Sequence, residues 1–456
     1  MTIRSTYLLS ILFMINIFST NAQEKYIMNL KQMLEFAEQN NYEIRSAEIE
    51  KLKSEQLIKD VRGNGLPKIE SSLEYKDYVK KATMILPGAL TGVPGAPDIV
   101  AQFGKKYNLD AGVQASQLLF SLGYIRGVQI AKKASEIKSL QKDKAKIEVI
   151  QLLATEYYNL MAIYKNLEII DNNLKSLEQT RKRTKNLVDG GLALHTDLNR
   201  IEVNYASLQS QREQIIAGID VQTNNLKYII GLDTQTELLV DTSNISNLFS
   251  YQPSNLPIRK KEELNFENLN EIKLINQNIE LNKLQIKQAK SQVTPTLAAF
   301  ASHTYQAQRD EFNFTNPDKD WFKVSVVGFN ATIPILSGFS NRAKIKTAKL
   351  ELQNSQILKD QSYSGLEIQY LNALMQYNTC IKNCLVQQKS IELAKDVKNQ
   401  TELKYNQGLS TLTDLLIAEQ ELRSAEVNYV KNCISMNQAE VDLLKSQGTL
   451  EFHDFK

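Results

Sequence analysis

Histidine and cysteine are nearly missing from this 456-residue chain, with three of each. That scarcity argues against a metalloenzyme, because structural or catalytic zinc takes three or four His, Cys or carboxylate ligands at short spacing. No nucleophile paired with a base, no phosphate-cradling glycine loop and no zinc spacing is found, so no catalytic, metal or cofactor site is assigned and an enzyme is not expected. Charge of one sign is lacking too: 54 basic against 51 acidic residues give no global field for nucleic acid. Beyond the N-terminus no window approaches 18 consecutive apolar residues, which excludes a helical membrane span. A β-barrel span is not excluded, since barrel strands only alternate.

What is present opens with an export address. Arg4 precedes the apolar run Leu8 to Ile15, and the segment ends Ser19-Thr20-Asn21-Ala22-Gln23, the pattern of a signal peptide over residues 1–22. No cysteine follows the cleavage point, so no lipid attachment is expected.

Set against itself, the chain repeats at an offset of 217 residues: Gly191-Leu192 recurs as Gly408-Leu409, Thr196-Asp197-Leu198 as Thr413-Asp414-Leu415, Glu202 as Glu419 and Gly231 as Gly448. Upstream, Gly112 matches Gly328 at 216, and Leu66-Pro67 matches Thr294-Pro295 at 228. The difference falls on Leu86 to Pro97, whose proline and glycine content reads as a long loop. A period this long is gene-scale duplication, since solenoid repeats run about 20–50 residues.

Each copy reads helix, hairpin, long helix, short helix. Leu160, Ile163, Leu167, Ile170, Leu174 and Leu177 recur at three- and four-residue steps, a coiled-coil seam, and Tyr363, Leu366, Tyr370, Ala373, Tyr377, Cys380 and Cys384 repeat it. The spacing predicts long helices from about Leu122 to Asp189 and Phe339 to Gln407, each near 100 Å at about 1.5 Å per residue. Shorter helices are expected at Leu30 to Val61, Thr196 to Ile230, Phe266 to Val293 and Thr411 to Gln447, stacked end to end in pairs beside them. The plan is therefore a helical segment at 23–65, a hairpin with a long external loop at 66–119 and a helical hairpin at 120–231. A linker follows at 232–265, then a helix at 266–293, a second β-hairpin at 294–336, a helical hairpin at 337–448 and a tail at 449–456.

The hairpins alternate with period two. Ile69, Ser71, Leu73 and Tyr75 face one way and Lys68, Glu70, Ser72, Glu74 and Lys76 the other; Tyr107, Leu109, Ala111, Val113 and Ala115 alternate with polar neighbours in the same manner. In the second copy Leu297, Ala299, Ala301 and Tyr305 are weaker, and Phe322, Val324 and Val326 change phase into Phe329, Ala331 and Ile333, which predicts a bulge near Gly328. Such strands are long enough to cross a bilayer when tilted, with Tyr75, Tyr78, Tyr107, Tyr305 and Trp321 as candidate interfacial aromatics. Four strands cannot close a barrel, so a membrane role obliges several chains to pool hairpins, and three would supply twelve strands. The other reading is a soluble hairpin pair on a helical body.

Gly328 to Gly338 running into Arg342-Ala343-Lys344-Ile345, and Tyr405-Asn406-Gln407-Gly408 followed by Thr413-Asp414-Leu415-Leu416 and Ala418-Glu419, resemble the TolC-like outer-membrane efflux family. The resemblance implies a mainly α fold with a transmembrane β portion, a homotrimer whose twelve-stranded β-barrel continues into a twelve-helix periplasmic α-barrel. It also implies a passive exit duct of a tripartite efflux or type I secretion system, seated in outer-membrane lipid, with a periplasmic adaptor and an inner-membrane pump as partners. The alternative is a soluble periplasmic coiled-coil structural or adaptor protein, which has no use for alternating strands.

In that family acidic residues near the start of the second inner helix line the closed tip, and Asp414 matches the first of them, with Ile417 at the position one turn on. Asp197 is its duplicate and a second candidate; alternatively Asp414 only caps a helix, in a capping box with Thr411. Gly191 and Gly408 read as left-handed helix ends, and with Leu192 and Leu409 as the tip turns the adaptor contacts. Cys380, Cys384 and Cys433 read as small buried hydrophobes, with a disulfide open but a bridge between the two four residues apart disfavoured. His195 reads as a solvated turn residue, and Arg181-Lys182-Arg183 as a solvated face or a partner for acidic residues at a neighbouring tip.

Overall fold

The computed structural model describes residues 25–92, 95–243, 245–249 and 265–451. The expected signal peptide lies outside them. The described residues divide into two compact units, one drawn from within 25–50, 138–275 and 358–451, the other from within 51–137 and 276–357.

Some helix ends of the first unit are set by caps that the chain supplies. Helix α1 (Leu30–Asn40) opens on a capping box in which Asn29 and Gln32 satisfy each other's backbone N–H groups. One helix was expected to continue from here to Val61, yet it ends at Asn41 and restarts as α2 (Tyr42–Gly63). The buried Asn41 explains the break: its Oδ1 accepts from the Glu43 and Ile44 amides, and its Nδ2 donates to the Ile229 carbonyl at 2.6 Å. These bonds cap α2 and tie it to the far end of α4 (His195–Ile230). Gly231 ends α4 at φ +76, and a Cβ there would stand 2.3 Å from the Asn40 carbonyl oxygen. No other residue fits this end-to-end junction without moving the backbone.

Long helix α3 (Leu122–Asp189) has the expected limits, and α5 (Asn270–Ser291) begins after a single 3-10 turn at Phe266–Asn268. Long helix α6 (Ser340–Asn406) precedes α7 (Leu412–Gln447), which repeats α4 at a displacement of 217 residues at both ends. The seams read from spacing enter the core only in part: Leu160, Tyr370, Tyr377, Cys380 and Cys384 are buried in it while Ile163, Leu167 and Tyr363 stay half-buried, and Leu153, Val430, Cys433 and Met436 complete it. Each such side chain contributes about 1.5–3 kcal/mol relative to exposure. A short parallel pair was not foreseen: β1 (Lys25–Met28) runs alongside β6 (Glu237–Val240), inside the segments expected to be helical and linking.

In the second unit β2 (Lys68–Asp77), β5 (Tyr107–Ser121), β7 (Thr296–Arg309) and β8 (Phe322–Thr332) make one antiparallel sheet in the order β2-β5-β7-β8. The connection between β2 and β5 holds its own hairpin, β3 (Thr83–Leu86) with β4 (Ile99–Gln102), where the chain was expected to be only loop. The bulge expected at Gly328 is not there. Pairing of β7 with β8 runs unbroken from Gln306↔Phe322 to Thr296↔Thr332, and the irregularity lies instead in β5, between Leu118 and Phe120. Gly328 has a packing reason: it faces Phe300, whose ring would come within 2.9 Å of an added Cβ. Unbroken register leaves Phe322, Val324 and Val326 on the same face as Glu70, Glu74, Asp110 and Gln114.

Candidate functional site: the helical tip and the apolar sheet face

At the tip of the helical unit two turns repeat each other. Gly191 and Gly408 adopt φ +75 and +73, the left-handed conformation that lets a helix end within one residue. The following amides reach back into the helix, Leu192 N to the Leu187 carbonyl at 2.7 Å and Leu409 N to that of Lys404 at 2.9 Å. Leu192 and Leu409 are left 79% and 74% exposed, two large apolar side chains at equivalent places with nothing over them.

The two candidate aspartates differ in their surroundings. Asp414 forms the capping box read from the sequence: its Oδ2 accepts from the Thr411 amide (3.0 Å), the Thr411 hydroxyl (2.7 Å) and the Ser410 hydroxyl (3.1 Å). The Thr411 side chain, its backbone and then Ser410 hold this carboxyl below the ordinary aspartate range. Leu194 stands where Thr411 would be in the first copy and offers no side-chain cap, so Asp197 sits half-buried in the first turn of α4 without that box.

Polar contacts join the α3–α4 hairpin to the α6–α7 hairpin just behind the turns. Arg183 reaches Glu402 at 3.7 Å and the Asn406 amide oxygen at 3.2 Å; the buried Thr184 hydroxyl meets the Tyr405 hydroxyl at 3.1 Å; Arg200 donates to Thr413. The basic run is therefore not one solvated face, since Arg181 and Lys182 stay on Glu178 and Glu202 while Arg183 crosses to the other hairpin. Ser176 donates to Glu419 at 2.8 Å, and burial pushes that carboxyl above the usual range. Leu177, Ile201, Leu208 and Leu412 form a small apolar cluster beneath this network. His195 is the exposed first residue of α4.

On the sheet, cross-strand register puts Ile69, Leu73 and Tyr75 on one face with Leu109, Ala111, Val113, Ala301, Val327 and Phe329. That face is uncovered: Ile69, Leu73 and Phe329 are each 74% exposed, and among the described residues β2 and β8 have no strand on their outer edges. Tyr75 and Tyr107 stack at 6.5 Å, and Phe312 and Phe314 close edge-on around them. Tyr305 lies apart from this group, against His303 at 5.0 Å and beneath Lys323. Trp321 precedes β8, half-buried, and makes no ring contact with the others among the described residues. Phe312 and Phe314 went unread in the sequence, although their one-residue spacing in the turn after β7 was a usable signal.

A family model for outer membrane efflux proteins matches residues 27–232 and 267–449, nearly all of both copies. The chain belongs to the outer membrane efflux protein family. Family members include the outer membrane protein TolC of Escherichia coli, 21% identical over 444 residues that cover 92% of this chain and 85% of TolC. The proteases secretion protein PrtF of Dickeya chrysanthemi is 22% identical over 320 residues, 69% of this chain and 66% of PrtF. The fold matches the outer membrane protein VceC of Vibrio cholerae with a TM-score of 0.69 at 15% identity, covering 92% of this chain and 96% of VceC. This efflux protein is accordingly an outer-membrane channel of the TolC type, and channels of this family are not enzymes.

Proposed function

We propose that three copies of this chain pool their sheets into one twelve-stranded barrel and their helices into one twelve-helix tunnel, a water-filled exit duct. The observation that carries this reading is the four-stranded sheet with one apolar face uncovered and, among the described residues, both edges unpaired. In lipid an open edge leaves backbone N–H and C=O groups without partners at several kcal/mol each, and only closure removes it. Pairing β8 of one copy with β2 of the next supplies that closure. Tyr75, Tyr107, Tyr305 and Trp321, joined by Phe312 and Phe314, then serve as interfacial anchors.

The helical part stands in the periplasm, and its tip is the regulated end. Gly191, Leu192, Gly408 and Leu409 form the turns that a periplasmic adaptor grips, with the exposed leucines as its apolar footholds. Asp197 and Asp414, each triplicated around the axis, ring the constriction, where crowded carboxylates attract cations and repel one another. Transport energy comes from an inner-membrane pump. Purification tests this reading: a detergent-extracted trimer that forms pores in planar bilayers is expected, whereas a monodisperse monomer in plain buffer would return the chain to a soluble coiled-coil role.

A further inference from the structure

We propose that Cys384 and Cys433 are joined by a disulfide in the mature channel, stapling α6 to α7 in the second copy only. Their sulfurs lie 3.8 Å apart on neighbouring helices, at 1% and 0% exposure, inside the central core. Cys380, one turn away on α6, has no such partner among the described residues and accepts instead from the Gln376 amide at 3.6 Å. The bridge forbidden to two cysteines four apart on one helix is thus offered across two helices.

The duplication marks the pair as particular to one copy. At the offset of 217 residues the first copy carries Leu167 and Ile216, both half-buried and unable to be linked. The repeat unit therefore folds with aliphatic side chains at these positions, and only the second copy brings two thiols into one fully buried contact. The segment between Cys384 and Cys433 contains the Gly408 turn and the Asp414 cap. A link there holds α6 and α7 together at the base of the second tip hairpin, so that this hairpin moves as one body.

The inference rests on the periplasmic placement of the helices, an oxidising compartment. The hydrogen bond that Cys384 donates to Cys433 is the main cause holding the Cys384 thiol protonated, ahead of burial, and the same bond lowers Cys433. One of the two thiolates opens the disulfide of a thiol–disulfide oxidant, and the other then attacks the resulting mixed disulfide and displaces the oxidant. Two S–H bonds are lost and one S–S bond forms, while the oxidant's S–S bond breaks and takes up the two electrons and two protons to become a dithiol. Because both sulfurs are buried in the finished core, the exchange takes place before α6 and α7 close, and the product is afterwards shielded from reductants.

Differential alkylation of the full chain from the outer-membrane fraction tests this. Free thiols are blocked with iodoacetamide in denaturant, then reduced and labelled with N-ethylmaleimide, and peptides are mapped by mass. The first label is expected on Cys380 alone and the second on Cys384 and Cys433, in a chain lighter by two hydrogens than its reduced form. Cys380→Ser should keep the link, and Cys433→Ile, the residue of the first copy, should move Cys384 to the first label. Three first-labelled cysteines in a chain recovered from the outer membrane overturn the disulfide and leave the duct reading standing. Linkage through Cys380 or between chains overturns it too, and recovery from the cytosol overturns both.

Discussion

Two acids five residues apart on α7 respond to pH in opposite senses. Asp414 is held below its ordinary pKa by Thr411 and Ser410, so its contribution to stability is complete above the unfolded value and is lost as pH falls through the depressed folded one. Glu419 is raised by burial, so its ionised form carries a cost that is complete above the folded pKa and vanishes below the unfolded one. Glu419→Gln, which keeps an acceptor for Ser176, should raise the unfolding temperature at pH 7 and leave it unchanged below about pH 4. Equal effects at both pH values in thermal melts would show that Glu419 is not strained by ionisation. The gate reading is tested separately. Asp197→Asn with Asp414→Asn should raise resting conductance in planar bilayers; unchanged conductance with the trimer intact would return Asp414 to capping and leave Asp197 without a gating role.

At the scale of elements, what was legible depended on whether the cause was local. Helices α3, α4, α6 and α7 were readable to within a residue or two because their seams, their Gly turns and the Thr411 cap are all written nearby. The break at Asn41 was not, since an asparagine in an unbroken periodic pattern gives no warning of a carbonyl at Ile229, 188 residues away. Pairing of β1 with β6 and the fit of Gly328 under Phe300 failed for the same reason. The candidate tip residues were found through the duplication and the family resemblance, while the contacts joining the two hairpins were not visible, because they cross between copies. Those contacts carry a prediction. Each exposed pair is worth about 0–1 kcal/mol, so Arg183→Ala alone should change little. Combined with Tyr405→Phe it also removes the buried hydroxyl pair with Thr184 and should raise resting conductance several-fold in single-channel recordings. Wild-type conductance in the double variant would mean that other contacts hold the tip closed.

For the whole molecule, the two faces of the sheet must meet different solvents, and neighbouring residues on one strand separate them. Leu73 and Ser72 are adjacent on β2, pair with Ala111 and Gly112 on β5, and point to opposite faces. If the apolar face meets lipid, Leu73→Arg costs about 2–4 kcal/mol near the bilayer midplane. Threefold assembly applies that cost three times to one barrel, enough to block insertion. Ser72→Arg places the same guanidinium among Glu70, Glu74, Asp110 and Gln114, in a wet lumen, where it alters only the charge that permeating ions meet. Detergent-extracted trimers should therefore be lost in the first variant and kept in the second, with cation preference reduced. The reverse pattern would place lipid against the polar face, and equal tolerance would mean that the sheet meets no lipid, leaving closure by β8 on β2 without its driving force.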